Sequence, residues 1–216
     1  MSSPTSPSLP APSLEFFFDC SSPWTYLGFE RIQPLAAEVP VEITWKPILV
    51  GGIFNQVNQS VYLSRDNPVP AKKAYMTKDL QDWARFVGIR IAWPPTIFPV
   101  NSVKAMRGCI LAARDGRLPA FARAVFEAYW GENRDISQDA VLLEIAARVG
   151  MAAESFASGL GDPAVKAELK ANTDEAITRG AFGSPTIFVN GSDMYFGNDR
   201  LPLVRAALGS GGRNEA

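Results

Sequence analysis

Apolar and polar positions follow two rhythms along this chain. Leu14–Phe18 is a short apolar run and reads as a buried strand. It stops at the polar cluster Asp19-Cys20-Ser21-Ser22. A helical pattern then runs from about Trp24 to Leu35, with Tyr26, Leu27, Ile32 and Leu35 at the inward positions. Ser22 stands as the N-cap and Pro23 as the first helical residue, where its missing N–H costs nothing. From Val41 to Lys46, Val, Ile and Trp alternate with Glu, Thr and Lys, which is strand periodicity. The two strands of so short a crossover are expected to be parallel.

The stretch from Pro47 to Pro70 reads as a polar loop, in which the adjacent Gly51 and Gly52 permit unusual backbone angles or close approach. Lys72 to Val87 is helical by pattern. Trp93-Pro94-Pro95-Thr96-Ile97-Phe98-Pro99 is too rich in proline for regular structure and would hold an aromatic loop in a stiff shape. Helices are expected at about Ser102–Arg114, Pro119–Trp130, Ser137–Val149, Ala153–Leu160 and Ala164–Arg179. Ser137 and Asp162 suit caps, and Pro163 suits a first helical position. Gly183–Gly191 gives a turn, a β-rich run and another turn; Met194–Phe196 is its hairpin partner. Gly197-Asn198-Asp199-Arg200 opens a last helix to about Leu208.

The order β-α-β, helices, β-β-α implies an α/β protein with one sheet built from both ends of the chain. Residues 14–59 and 180–208 would form that domain, and residues 60–179 an inserted helical domain. There is no internal repeat. Residues 1–13, rich in serine and proline, read as a disordered arm without the basic and apolar segments of a secretory signal. Residues 209–216 read as a flexible tail.

Composition narrows the chemistry. A net charge of −1 gives no electrostatic case for nucleic acid or an anionic membrane as partner. No apolar stretch reaches transmembrane length. Histidine is absent, which excludes serine–histidine and cysteine–histidine catalysis and the usual zinc sites; no metal site is expected. The two cysteines, Cys20 and Cys109, form no Cys-x-x-Cys. A disulfide between them and two buried free thiols both remain open; free thiols fit a reducing cytosol. The strand–helix junction brings the Ser22 hydroxyl to a helix N-terminus, a place that favours an anion. The plainer reading is that Ser22 only caps the helix.

Ser184-Pro185 before a strand, hairpin and helix, together with the β-α-β start, resembles the thioredoxin fold. In that resemblance Pro185 is a cis proline facing the first helix, and Ser184 offers its backbone to a bound peptide. Disulfide oxidoreductases of this fold carry Cys-Pro-x-Cys where this chain has Ser22-Pro23-Trp24-Thr25, so dithiol chemistry is not expected. Further motifs are Phe18-Asp19-x-x-Ser22-Pro23-x-x-Tyr26-Leu27-Gly28, Pro47-x-Leu49-x-x-Gly52-Ile53, Phe98-Pro99-Val100-Asn101-Ser102, Gly180-Ala181-Phe182-Gly183-x-Pro185 and Phe196-Gly197-Asn198-Asp199-Arg200. Through them the chain, from about Leu14 to Leu208, resembles the kappa-class glutathione transferases and their bacterial relatives, the 2-hydroxychromene-2-carboxylate isomerases. The Phe-Pro-Val-Asn-Ser and Phe-Gly-Asn-Asp-Arg stretches look more like the isomerases.

The resemblance implies glutathione as cofactor and Ser22 as the residue that stabilises its thiolate. Ser184 and Pro185 would hold the cysteinyl backbone, Asn198 and Asp199 the γ-glutamyl group, and Lys72 the glycyl carboxylate. Asn58 would serve in the same region, with Gln59 as its rival. Trp93, Phe98 and Asn101 are candidate substrate contacts, although Asn101 also suits a helix cap. The chain departs from the family at Asn55, where a lysine is frequent, and at Ser184, where an aliphatic residue is commoner. It departs again at Asn198, where kappa-class transferases have serine. The implied activity is glutathione-dependent conversion of 2-hydroxychromene-2-carboxylate, a small aromatic carboxylate, to trans-o-hydroxybenzylidenepyruvate in aromatic hydrocarbon catabolism. The implied setting is a cytoplasmic homodimer. A kappa-class-like transferase, and a glutathione- or peptide-binding module without chemistry, are the alternatives.

Overall fold

A computed structural model describes residues 11–209. Of the expected arm and tail, residues 1–10 and 210–216 lie outside the described residues. The sheet has four strands: β1 (Leu14–Phe18), β2 (Ile43–Pro47), β3 (Thr186–Val189) and β4 (Asp193–Phe196). Their order is β2-β1-β3-β4. β1 runs parallel to β2 and antiparallel to β3, which pairs antiparallel with β4. Helix α1 (Pro23–Glu38) makes the crossover, with Tyr26, Leu27, Ile32 and Leu35 all buried as expected. This is a mixed thioredoxin-type sheet assembled from both ends of the chain.

The three consecutive phenylalanines of β1, Phe16–Phe18, are explained by two covered faces. Phe16 and Phe18 point into a large core with Leu27, Phe29 and Phe126, while Phe17 joins a smaller one with Ile48, Ile53 and Phe188. Between β2 and β3 come α2 (Val50–Val57), α3 (Ser60–Asp66), α4 (Pro70–Val87), α5 (Val103–Arg114), α6 (Leu118–Phe126), α7 (Asp139–Arg148), α8 (Ala153–Gly159) and α9 (Pro163–Thr178). After β4, a 3₁₀ turn at Asn198–Arg200 leads into α10 (Leu201–Gly209). Among the described residues, no helix is long and apolar enough to cross a membrane.

Three expectations are corrected. The polar loop after β2 is instead the helix pair α2 and α3. Asp19 Oδ2 accepts the Val50 N–H at 2.9 Å, and Thr173 Oγ1 accepts the Leu49 N–H at 3.0 Å. A carboxylate at a helix N-terminus is favourable, and here it comes from a distant part of the chain. Gly52 is helical; a Cβ there would lie 3.2 Å from Thr173 Cγ2, so its use is the close approach of α2 to α9. Second, α6 ends at Phe126 and continues as a π-helical turn, Glu127–Gly131, that buries Tyr129 and Trp130. Third, Ser137 caps nothing; α7 begins after Gln138, and the Ser137 N–H is held by Asp135 Oδ1. Asp162 does cap α9, accepting from the Ala164 N–H at 2.7 Å.

Candidate active site

Ser22 caps α1: its Oγ accepts the Thr25 N–H at 3.2 Å. Pro23 carries no N–H, which leaves that of Trp24 as the remaining donor of the first turn. Facing this turn is the cis peptide Ser184-Pro185. Ser22 Oγ donates to the Ser184 carbonyl at 3.3 Å, and Ser184 Oγ lies 2.8 Å from Thr25 Oγ1. Gly28, one turn further on, lets the proline in: a Cβ there would sit 3.1 Å from Pro185 Cγ. Ser22 is half-buried, whereas Thr25 and Ser184 are buried.

Beneath this notch lies Asp19, which sequence reasoning placed in a motif without assigning it work. Its buried carboxylate accepts from the Ser21 N–H at 2.9 Å as well as from Val50, and the Ser102 hydroxyl also bonds to it. Burial nonetheless pushes its pKa up, against the lowering effect of those donors. One acid thereby ties the α1 start, the α2 start and the end of the proline-rich loop together. A lone acid directly after a buried apolar strand was the available signal.

That loop carries Trp93 and Phe98, with cis bonds before Pro94 and Pro99. Trp93 stacks 6.1 Å from Trp130 and meets Phe98 edge-on at 5.2 Å. Trp130 donates its indole N–H to the Cys20 carbonyl at 2.9 Å, and Tyr129 donates its hydroxyl to the Ile97 carbonyl at 2.7 Å. The aromatic cluster is therefore anchored to the same strand–helix junction as Ser22. Phe98 is 40% exposed, so this wall is open to a ligand. Asn101 is exposed and spends its Oδ1 on the Val103 N–H, at the start of α5.

The remaining candidates are spread out. Asn58 donates to the Phe182 carbonyl at 2.9 Å, bringing α2 against the segment that leads to Ser184. Gln59, between α2 and α3, donates its side-chain amide back to the Asn55 carbonyl of α2 at 3.0 Å. Asn198 is buried, and its Oδ1 and backbone carbonyl accept from Arg31 Nη1 at 3.0 and 2.6 Å. Asn198 and Asp199 form the 3₁₀ turn rather than the first turn of α10. Asp199 is paired with Arg200. Lys72 is exposed in the first turn of α4, and its side chain makes no hydrogen bond or ion pair with the described residues. The Ser184 side chain also accepts the Asp19 N–H at 3.1 Å. Its hydroxyl thus has structural work that the backbone-only reading did not foresee. Thr25 and Arg31 were missed because their partners, Ser184 and Asn198, are distant in sequence.

Both cysteines are buried and free. Burial, with the Cys109 thiol alongside, pushes the Cys20 thiol well above its ordinary range, so it is a poor nucleophile. Among the described residues no cluster of acidic or thiol side chains could hold a metal. The arrangement can do one thing well: hold an anion at the α1 N-terminus, beside the Ser184-Pro185 backbone and next to an aromatic cluster joined to the same junction through Cys20.

The chain is 30% identical to the 2-hydroxychromene-2-carboxylate isomerase of Pseudomonas putida, over 91% of this chain and 94% of that one. It is 31% identical to human glutathione S-transferase kappa 1, over 91% of each. A solved structure of a 2-hydroxychromene-2-carboxylate isomerase superposes with a TM-score of 0.76 at 28% identity, covering 91% of this chain and 94% of that chain. Named relatives of this kind are enzymes, either isomerases or glutathione transferases. Residues 13–209 match the model of the DSBA-like thioredoxin domain, and the chain belongs to that family.

Proposed function

We propose that this protein is a glutathione-dependent cis–trans isomerase of an aromatic α-keto acid, acting on 2-hydroxychromene-2-carboxylate or a close analogue. The observation that carries the reading is the half-buried Ser22 hydroxyl at the α1 N-terminus, set against Ser184-Pro185 and anchored to the same junction as the Trp93–Phe98 wall. The isomerase relatives supply the reaction class, and the transferase relatives the cofactor.

The residues fit the cofactor. The bond from Ser22 to the Ser184 carbonyl, at 3.3 Å, is long for a hydroxyl donor, so a thiolate competes well for the same hydrogen. When bound, glutathione would supply a thiolate able to add to and leave from the carbon–carbon double bond conjugated with the ketone of the ring-opened substrate, a bond that is single and free to rotate between the two events. Ser22 and the α1 N-terminus hold the negative charge. The Ser184 backbone orients the tripeptide by strand-like pairing. Asp199 offers a carboxylate to the γ-glutamyl ammonium, in exchange for its pairing with Arg200. No step needs a protein imidazole.

The test is to follow 2-hydroxychromene-2-carboxylate by ultraviolet absorbance with and without glutathione, then to titrate the free thiol. Glutathione-dependent conversion over many turnovers with constant thiol is the expected result. Loss of one thiol per molecule converted would make the protein a transferase, and no conversion would leave a binding module. Asp199→Ala is expected to raise the glutathione concentration for half-maximal rate by about tenfold, the worth of one charge-assisted bond. The maximal rate should stay unchanged, because the contact is equal in ground and transition states. Initial rates across a glutathione series check this.

A further inference from the structure

Arg65 lies on α3, a helix that buries no side chain. Its guanidinium carbon sits 5.6 Å from the centre of the Phe54 ring and 5.5 Å from that of Phe98. It has no acidic partner among the described residues. The two rings come from different elements, and both hang from Asp19. Phe54 is one turn along α2 from Val50, and Phe98 is four residues before Ser102; Val50 and Ser102 both bond the Asp19 carboxylate. Tyr62, one turn before Arg65 on α3, donates its hydroxyl to Asn55 Oδ1 at 2.7 Å and meets Phe54 edge-on at 6.3 Å. These contacts hold α3 over the aromatic wall of the site.

A guanidinium lying against aromatic rings keeps in-plane N–H groups for a carboxylate, which it binds with two parallel hydrogen bonds. We propose that Arg65 receives the substrate's carboxylate, with the planar conjugated acid lying along Phe98 and Phe54 and its anionic end on the guanidinium. This rests on the reading above that the substrate is an aromatic α-keto acid. The same chemistry exists in the glycyl carboxylate of glutathione, and the experiment separates the two.

Calorimetric titration of protein saturated with S-methylglutathione, whose capped sulfur cannot add, measures binding without turnover. The probes are trans-o-hydroxybenzylidenepyruvate and the methyl ketone in which CH₃ replaces its carboxylate. Arg65→Gln is expected to weaken the keto acid about ten- to a hundredfold and the methyl ketone less than about twofold. Arg65→Lys should recover part of the loss, because an ammonium keeps the charge without the planar fork. The affinity for S-methylglutathione itself should not change. Equal effects on both probes would overturn the proposal. So would a loss confined to S-methylglutathione, or failure of the keto acid to bind the wild-type protein. Keto acid that binds through Arg65 while the cis isomer is never converted would refute the proposed reaction and leave Arg65 in place. Isomerisation unaffected by Arg65→Gln would do the reverse.

Discussion

Ser22→Ala is expected to lower turnover at neutral pH by about ten- to a hundredfold. A hydrogen bond to a charged acceptor contributes roughly 1.5–3 kcal/mol, or about one to two pKa units of the bound thiol at 1.36 kcal/mol each. When little of the thiol is ionised, the rate falls with the thiolate fraction. The sign follows directly: without the hydroxyl the thiol pKa rises, so the loss is greatest at low pH and part of it returns at high pH. Some activation should survive, because the α1 N-terminus remains. The same substitution removes the acceptor for the Thr25 N–H and should cost about 1 kcal/mol of stability. Rates from acid to alkaline pH and an unfolding curve read the two effects separately. A stability loss with an unchanged pH–rate profile would reduce Ser22 to a helix cap.

Asp19→Asn is expected to lower the unfolding free energy by about 1–3 kcal/mol, the cost of leaving a buried donor unmatched. An amide has one acceptor oxygen, while Asp19 receives the N–H groups of Ser21 and Val50 on two oxygens. One of those donors would then face an NH₂ group. Stability also acquires a definite pH dependence. Burial holds the folded-state pKa of Asp19 above the ordinary carboxylate value of about 3.8, so the folded protein keeps this proton to higher pH than the unfolded chain. Wild-type stability should therefore fall as pH rises from about 3.8 through the folded value. The amide does not titrate, so the variant should lack this pH dependence. Urea unfolding at several pH values checks this, and parallel curves would contradict it.

What the sequence revealed, and what it hid, divides by the distance over which each signal acts. The β1 run, the Ser22-Pro23 start of α1 and the Asp162-Pro163 start of α9 were legible because each is specified by adjacent residues. The α2 helix was not, because its first N–H groups are satisfied by Asp19 and Thr173 rather than by neighbours. Its two glycines looked like a loop, yet Gly52 serves the approach of α2 to Thr173 on α9. The notch at Ser22 was legible in its residues but not in its bracing. The Thr25–Ser184 and Arg31–Asn198 contacts join parts of the chain far apart in sequence. Lys72 shows the opposite case: the resemblance supplied a role, and the folded chain leaves that side chain exposed and without polar partners among the described residues. Arg65 was unremarked because it acquires neighbours only once α3 has folded over Phe54 and Phe98.

The most direct measurement is the pH titration of glutathione bound to the wild-type protein, followed by thiolate absorbance near 240 nm. A free cysteine thiol titrates near pH 8.5. With Ser22 donating a charge-assisted hydrogen bond beside the α1 N-terminus, the bound thiol is expected to titrate about one to two units lower. In Ser22→Ala its curve should move back most of that distance. A bound thiol that titrates where free glutathione does, and is indifferent to Ser22, would contradict the assignment of this helix N-terminus as the thiolate site.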